Sequence, residues 1–243
     1  IDLQGRNFTL EYRTNIPVRV GLAGSSAIVT ATMRALMTFY GVDIAPHHLA
    51  NLVLSVELLE LGIGAGLQDR VIQAYEGVVY MDFDRALMEN RGYGDYQALD
   101  PAALPTLFLA WHENLSEGTE VTHNDLRSRF NRGDPEVLEG MAGFAELAHR
   151  ARQLLEQGRG RELGPLMSDN FALRRRLVQV SEGNIRLVDI ARQLGCHAKL
   201  AGSGGAVIGV YDGDDERFKR LQQAYAAFGA QVILPHIRNK GEA

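Results

Sequence analysis

The sequence contains one cysteine, no long apolar run and no excess of basic residues. With Cys196 as its single cysteine, the chain cannot form an internal disulfide or a cysteine-based zinc site, and a reducing compartment is expected. No apolar stretch approaches the roughly 18 residues of a membrane span. The 25 Lys and Arg residues are outnumbered by 30 Asp and Glu residues, and the formal net charge of −5 argues against nucleic-acid binding. We therefore expect a cytoplasmic protein without nucleic-acid or membrane partners.

A glycine-rich segment near the N-terminus lacks the lysine of the Walker phosphate loop, so that class of nucleotide site is excluded. The remaining pattern still predicts a phosphate cradle, because small residues let the backbone approach an anion closely. The almost wholly apolar residues 27–40 predict a helix that follows the segment and is buried against a sheet. An ordinary turn before a buried helix is the alternative. The candidate phosphate-binding residues are Gly21, Leu22, Ala23, Gly24, Ser25, Ser26 and Ala27.

Two further glycine-rich segments carry candidate site residues. Residues 62–71 form a predicted turn that leads to Asp69 at the start of a predicted helix. The carboxylate of Asp69 is a candidate base, and the alternative is that Asp69 caps the helix. Residues 199–208 place Gly202, Ser203 and Gly204 before a β-branched strand, which leaves room for a ligand beside the backbone. Each segment alone is a weak signal.

The pattern of the whole chain predicts an α+β architecture. Strands are predicted at 7–12, 78–83, 106–111, 198–201, 206–211 and 231–234. Helices are predicted at 46–61, after Asp69, over most of 119–194 and at 214–228, with breaks at 133–135, 158–160 and 181–183. Strong loop signals at 92–94 and 100–105 place a boundary between two domains, residues 1–100 and 101–243.

The three glycine-rich segments, in this order, resemble two motifs and the catalytic segment of the GHMP kinases. The second motif of that family matches Pro17 and the phosphate segment, with Ala23 inserted before Gly24. Its third motif matches Lys199 and the turn that follows, with Ala201 where threonine is usual and one glycine fewer. These two departures, and the segments A-G-L-Q-D-R-V and G-Y-G-x-Y, are similar to the glucuronokinase branch.

The first GHMP motif, P-G-R-V-x-L-x-G-x-x-x-D, does not occur in this sequence. We therefore expect a two-domain GHMP kinase-like fold with an incomplete N-terminal domain. Residues 1–100 would be the C-terminal part of the ATP-binding domain, and residues 101–243 the C-terminal domain. This expectation leaves two macromolecular partners open, namely the missing N-terminal segment or a second copy of the chain.

The resemblance implies a role for each candidate residue. Asp69 is expected to face the acceptor hydroxyl, and Arg70 beside it to contact phosphate or a sugar carboxylate, with a surface ion pair as the alternative. Ser26 and Glu57 are expected to hold Mg²⁺, although Glu60 lies on the same helical face as Glu57 and stays an alternative. Ser25 is expected to donate to phosphate or to cap its helix.

On the substrate side, the resemblance points to residues 166–175. Asn170 and Arg174 are spaced i, i+4 on one predicted helix and therefore share a face, where Arg174 suits a sugar carboxylate. The implied activity is ATP-dependent phosphorylation of the anomeric hydroxyl of a sugar, D-glucuronate above others. A GHMP kinase of heptose, fucose or galactose and a truncated, non-catalytic nucleotide-binding module are the alternatives.

Overall fold

The computed structural model describes residues 5–115 and 119–237, and for residues 119–124 it describes the backbone alone. The chain forms two compact units. Unit 1 comprises the residues up to Ile16 together with Ala23–Ala98, and unit 2 comprises Pro17–Leu22 together with the residues from Leu99 onward. The predicted phosphate segment therefore begins in unit 2 and ends in unit 1.

Unit 1 is mainly helical. Its elements are α1 (Gly24–Tyr40), α2 (Pro46–Ser55), a π-helical turn (Val56–Glu60), α3 (Gln68–Tyr75), β1 (Val78–Asp82), α4 (Arg85–Arg91) and β2 (Asp95–Leu99). Pro46 begins α2 at the position where the missing N–H is not needed, and Asp84 caps α4 by accepting from the N–H groups of Ala86 and Leu87. β1 and β2 form a two-stranded sheet.

The predicted strand at residues 7–12 is wrong. The segment has no strand assignment, and the alternating side chains of Phe8, Leu10 and Tyr12 are 51%, 39% and 61% exposed. A strand exists only where its N–H and C=O groups pair with a neighbouring strand, and the described residues offer this segment none. Phe8 instead packs edge-on against Phe39 at the end of α1, with ring centroids 5.4 Å apart.

The prediction that α1 is buried against a sheet is also wrong. α1 packs against α2 and α3, and its buried residues are the polar Ser26 and Thr30. The apolar residues of α1 lie on every side of the helix, so its sequence did not specify which face is covered. The helix ends at Tyr40 as predicted, with Gly41 in the left-handed conformation that closes its C-terminus, but it begins at Gly24, three residues before the predicted start.

Unit 2 packs helices on an antiparallel sheet. Its elements are β3 (Leu107–Trp111), α5 (Thr119–Asn131), α6 (Pro135–Glu156), α7 (Leu163–Leu177), α8 (Glu182–Gln193), β4 (His197–Leu200), β5 (Ala206–Val210), α9 (Asp215–Ala227) and β6 (Gln231–Ile233). The strand order is β4-β5-β3-β6, with Ala110 opposite Val207 on β5 and Val232 on β6. The α+β class and the three helix breaks in this unit are confirmed.

The core of unit 2 lies between the sheet and helices α7, α8 and α9. Phe108, Phe171, Leu187, Leu221 and Tyr225 are completely buried there, and the Tyr225 hydroxyl donates to the carbonyl of Leu187 at 2.9 Å. Cys196 is buried in the same core. None of the helices in the described part of the chain has the length and apolar character that a membrane span requires.

Candidate active site

The start of α1 is a helix N-terminus without a side-chain cap. Ala23 is the N-cap residue, in the left-handed conformation with φ 55°, and its methyl group cannot accept from the first turn. The interpretation of Ser25 as the cap is therefore wrong, because Ser25 lies inside the first turn. The first N–H groups of a helix have no acceptor within the helix, and together with the macrodipole they attract an anion.

A buried chain of charged and polar groups lies beside this helix start. The Ser25 hydroxyl donates to Glu57 Oε1 at 2.7 Å, and Arg70 Nε donates to Glu57 Oε2 at 2.5 Å. Glu57 is completely buried and the Arg70 side chain is 6% exposed, so the alternative of a surface ion pair for Arg70 is wrong. Glu60, by contrast, is exposed on the same π-helical turn. Glu57 is thus the carboxylate that unit 1 directs toward Ser25.

Asp69 forms the solvent-facing end of this chain of groups. Its side chain is 51% exposed, and Oδ2 accepts from Arg70 Nη1 at 3.3 Å. Its helix, α3, begins at Gln68 with no side-chain cap, so the interpretation of Asp69 as an N-cap is wrong. The pKa of Asp69 is raised from its ordinary value, chiefly by desolvation; Arg70 opposes the rise and Glu57 adds to it. A half-open carboxylate with a raised pKa is a better proton acceptor than an ordinary one.

Ser26 has partners other than those of Ser25. Its hydroxyl donates to the carbonyl of Ala23 at 3.0 Å and accepts from Gln73 Nε2 at 2.9 Å. Gln73 also donates to the carbonyl of Ala23 at 3.1 Å and accepts from the Thr30 hydroxyl at 3.0 Å. Gln73 therefore ties the first turn of α1 to α3. Sequence reasoning missed this residue, although its i, i+4 spacing from Asp69 was a signal that both face the same way.

In unit 2, the first part of the phosphate segment rests on the turn at residues 202–205. A Cβ built on Gly21 would lie 2.8 Å from the carbonyl oxygen of Gly204, and one on Gly202 would lie 2.4 Å from the carbonyl oxygen of Gly21. Such contacts are possible only where neither residue has a side chain. The structure therefore brings Gly21 together with Gly202 and Gly204.

Two residues lie close to this contact. Trp111, the one tryptophan of the sequence, packs with Val20 and Ala206, and its buried Nε1 has no hydrogen-bond partner in the described part of the chain. Lys199 donates to the carbonyl of Leu200 at 2.9 Å, and desolvation, with a smaller effect of Arg174, lowers its pKa to about 8. A positive charge is thus held at the edge of the turn at neutral pH.

The predicted substrate residues lie on α7. Asn170 and Arg174 are both half-buried, one helical turn apart. Arg174 donates through Nη1 to the carbonyl of Gly202 and through Nη2 to that of Ser203, both at 2.8 Å. The structure therefore brings Arg174 to the turn at 202–205.

A preassembled metal centre is not visible in the described residues 5–115 and 119–237, which contain no group of three or more His, Cys, Asp or Glu side chains suited to a metal ion. A hydroxyl and a carboxylate are nevertheless adequate protein ligands for Mg²⁺, which keeps several waters. Two ligand oxygens on one octahedral Mg²⁺ are about 3 Å apart. Ser25 Oγ and Glu57 Oε1, 2.7 Å apart, fit that spacing.

Family models match both halves of the chain. The model described as GHMP kinases N terminal domain matches residues 2–77, and the model described as GHMP kinases C terminal matches residues 151–231. Between them the two models match more than half of the sequence. The chain therefore belongs to the GHMP kinase family, and the resemblance stated above is confirmed.

Within the family, the chain is similar to two glucuronokinases of Arabidopsis thaliana. It is 44% identical to probable glucuronokinase 2 over 214 residues and 43% identical to glucuronokinase 1 over 213 residues, with 86% of this chain covered in both cases. The chain spans 58% of the length of each of these relatives. Among solved structures, Lactococcus lactis galactokinase complexed with galactose has the same fold, with a TM-score of 0.70 and 16% identity over 91% of this chain and 67% of that one.

Proposed function

We propose that this chain belongs to an ATP-dependent kinase that phosphorylates the anomeric hydroxyl of D-glucuronate. The similarity to the two glucuronokinases supports the substrate. The observation that carries the proposal is the series Ser25, Glu57, Arg70 and Asp69, in which buried partners hold a half-exposed carboxylate of raised pKa. Phosphoryl transfer needs held phosphates and an oriented acceptor hydroxyl, and this series accounts for the second requirement.

In the proposed reaction the anomeric oxygen attacks the γ-phosphorus of ATP. The bond from that phosphorus to the oxygen bridging the β- and γ-phosphates breaks, so the products are the sugar 1-phosphate and ADP. The proton of the hydroxyl goes to the carboxylate of Asp69. Arg70 stabilises that carboxylate in its ionised form through the contact at 3.3 Å, so it keeps Asp69 ready to accept.

We assign the phosphates of ATP to the segment from Gly21 to Ala27 and to Gly202, Ser203 and Gly204. The uncapped N-terminus of α1 supports the first assignment, and the close contact of Gly21 with Gly202 and Gly204 supports the second. A Mg²⁺ ion held here would supply positive charge that offsets the charge of the phosphates. Glu57 would hold it, with Ser26 as the resemblance implies or Ser25 as the 2.7 Å contact favours.

Asn170 and Arg174 are our candidates for contacts with the sugar. A guanidinium group recognises a carboxylate well, and Arg174 lies one helical turn from Asn170 on α7. Because the same guanidinium donates to the carbonyls of Gly202 and Ser203, a sugar acid bound to it would lie beside the turn at 202–205.

The test is the rate of ATP turnover with a panel of sugars. It uses the full-length protein, which means this chain together with any residues that its gene encodes on either side. We expect glucuronate to be turned over with the highest kcat/KM and glucose, galactose, fucose and heptoses with much lower values. A preference for one of the neutral sugars would replace glucuronate as substrate. Nucleotide binding without turnover of any sugar would favour the non-catalytic module.

A further inference from the structure

The turn at residues 202–205 is held by side chains from two helices of unit 2. From α7, the guanidinium group of Arg174 donates to two successive carbonyls, those of Gly202 and Ser203. Hydrogen bonds with a charged donor are about twice as strong as neutral ones, and a planar fork that engages two acceptors fixes the direction of both. Arg174 thereby sets the orientation of the peptide planes at the first half of the turn.

From α8, Asn184 holds the second half. Its side chain is completely buried, and Oδ1 accepts from the N–H of Gly205 at 2.7 Å. Its Nδ2 donates to the hydroxyl of Ser181 at 3.1 Å, and Ser181 is the N-cap of α8. The amide is therefore oriented by the helix start itself. No feature of its local sequence distinguishes Asn184 from a surface residue of a helix, which is why sequence reasoning missed it.

The turn has a backbone conformation that residues with a side chain rarely adopt. Gly205 has a φ of +83°, and a Cβ on it would lie 3.0 Å from the Cα of Val20. Gly21 in turn has a φ of +71° and contacts Gly204 directly. Because the two backbones touch without intervening side chains, a shift of the turn by even a few tenths of an ångström must move Gly21.

We propose that Arg174 and Asn184 are positioning residues for nucleotide binding, which act by fixing the turn at 202–205 against Gly21. The proposal rests on the proposed function, because it takes the segment at Gly21 as part of the ATP site. It gives Arg174 a role that is independent of the sugar. The role follows from the two carbonyl contacts and holds whether or not the same guanidinium also contacts a carboxylate.

The experiment compares R174A, N184L and wild type in the full-length protein. ATP affinity is measured without turnover, from the fluorescence of Trp111, which packs against Val20 and Ala206 beside the turn. We expect R174A and N184L each to weaken ATP binding by about tenfold, since each loses at least one strong hydrogen bond to the turn. The KM for ATP should rise by the same factor with glucuronate and with any neutral sugar that is turned over.

Two conservative variants and one control separate positioning from general damage. R174K keeps the charge but reaches one carbonyl instead of two, and N184D keeps an acceptor for Gly205 N–H, so both should bind ATP with intermediate affinity. Arg175 is the neighbour of Arg174 on α7 and is exposed, so R175A should leave ATP affinity unchanged. If R174A or N184L does not fold, the ATP affinities of R174K and N184D test the proposal in its place.

Three results would overturn the proposal. An unchanged ATP affinity in R174A and R174K would show that Arg174 does not position the turn for ATP binding. An effect of R174A on the KM for glucuronate alone, absent with neutral sugars, assigns Arg174 to the carboxylate instead. If wild type binds no ATP, the proposed function and the positioning role both fail. If wild type binds ATP and substitution of Arg174 and Asn184 does not change the affinity, only the positioning role fails.

Discussion

The two units hold their parts of the phosphate segment in different ways. Unit 1 fixes the start of α1 with buried polar side chains, namely Ser26, Thr30, Glu57 and Arg70. Unit 2 fixes Gly21 by direct backbone contact with glycines, on a sheet whose core is apolar. In the described residues of unit 1, the buried apolar side chains are those of Leu49, Ala50, Val53 and Val71, whereas most of the buried apolar residues belong to unit 2.

Under the proposed function, the two units have different tasks. Buried charges are costly, and they remain where a specific arrangement of groups is needed. An apolar core with a glycine turn provides rigidity but no group that accepts a proton. We therefore expect substitutions at Asp69 and Glu57 to change turnover or stability, and substitutions at the first turn of α1 or at the turn of unit 2 to change nucleotide affinity.

The largest effect is expected at Asp69. D69N removes the proton acceptor, so kcat should fall by about a hundredfold to ten-thousandfold while ATP affinity stays near that of wild type. Since the pKa of Asp69 is raised on folding, its ionisation destabilises the folded state as the pH rises above the ordinary carboxyl range. D69N should therefore be at least as stable as wild type at neutral pH, measured by urea unfolding. A variant that loses activity through unfolding would contradict this account.

The next largest effect is expected at the buried ion pair. E57Q leaves the buried Arg70 with only the half-exposed Asp69 as a counter-ion, and loss of one partner of a buried pair costs about 3–5 kcal/mol of unfolding free energy. E60Q, on the exposed side of the same turn, is the matched control and should cost almost nothing. The double variant E57Q with R70M should recover part of the loss. Equal stability of E57Q and E60Q would mean that the polar network does not hold unit 1 together.

A smaller effect is expected at Gln73. Q73M is nearly isosteric but cannot bind the carbonyl of Ala23 or the hydroxyls of Ser26 and Thr30, so the first turn of α1 should loosen. The KM for ATP should rise by about three- to tenfold, the cost of one or two hydrogen bonds. T30V removes only the contact to Gln73 Oε1 and should give a smaller rise. Equal KM values for ATP in T30V and Q73M would contradict this prediction, because the contacts of Gln73 to Ala23 and Ser26 would then contribute nothing.

The smallest effect concerns Lys199 in unit 2 and its pH dependence. The folded chain releases this proton near pH 8, whereas the unfolded chain keeps it to about pH 10.5. Between these values the unfolded state binds more protons, so the contribution of Lys199 to the unfolding free energy rises with pH. The difference in stability between wild type and K199M should change over this window. K219M, at an exposed lysine, should show no such change.

The sequence predicted the helices and most strands because their boundaries are local. Pro46, Asp134 and Ser181 begin helices by their own chemistry, and these elements lie where they were predicted. β2 and α4 were not predicted, because each is short and lies next to the strong loop signals at residues 92–94. The strand at 7–12 was wrong because strand formation depends on a partner elsewhere in the protein.

The candidate site was predicted in part. The structure brings Gly21 into contact with Gly202 and Gly204, and it buries Glu57 while it leaves Glu60 exposed. Asn184 was not predicted, because an amide that bonds to a distant backbone has no local signature, and Gln73 was missed although its i, i+4 spacing from Asp69 places both on one face. The roles of Asp69, Arg70, Ser26, Glu57, Asn170 and Arg174 in catalysis and binding stay predictions, and so do those of the phosphate-binding residues 21–27 and 202–204.

The most direct test of this account is phosphorus NMR of the reaction of ATP with glucuronate, catalysed by the full-length protein and by D69N. We predict that wild type forms ADP and one new phosphate ester at the anomeric carbon, recognised by its coupling to the anomeric proton, and that D69N forms almost none. A phosphate at another carbon, or the same ester formed at an undiminished rate by D69N, would contradict it.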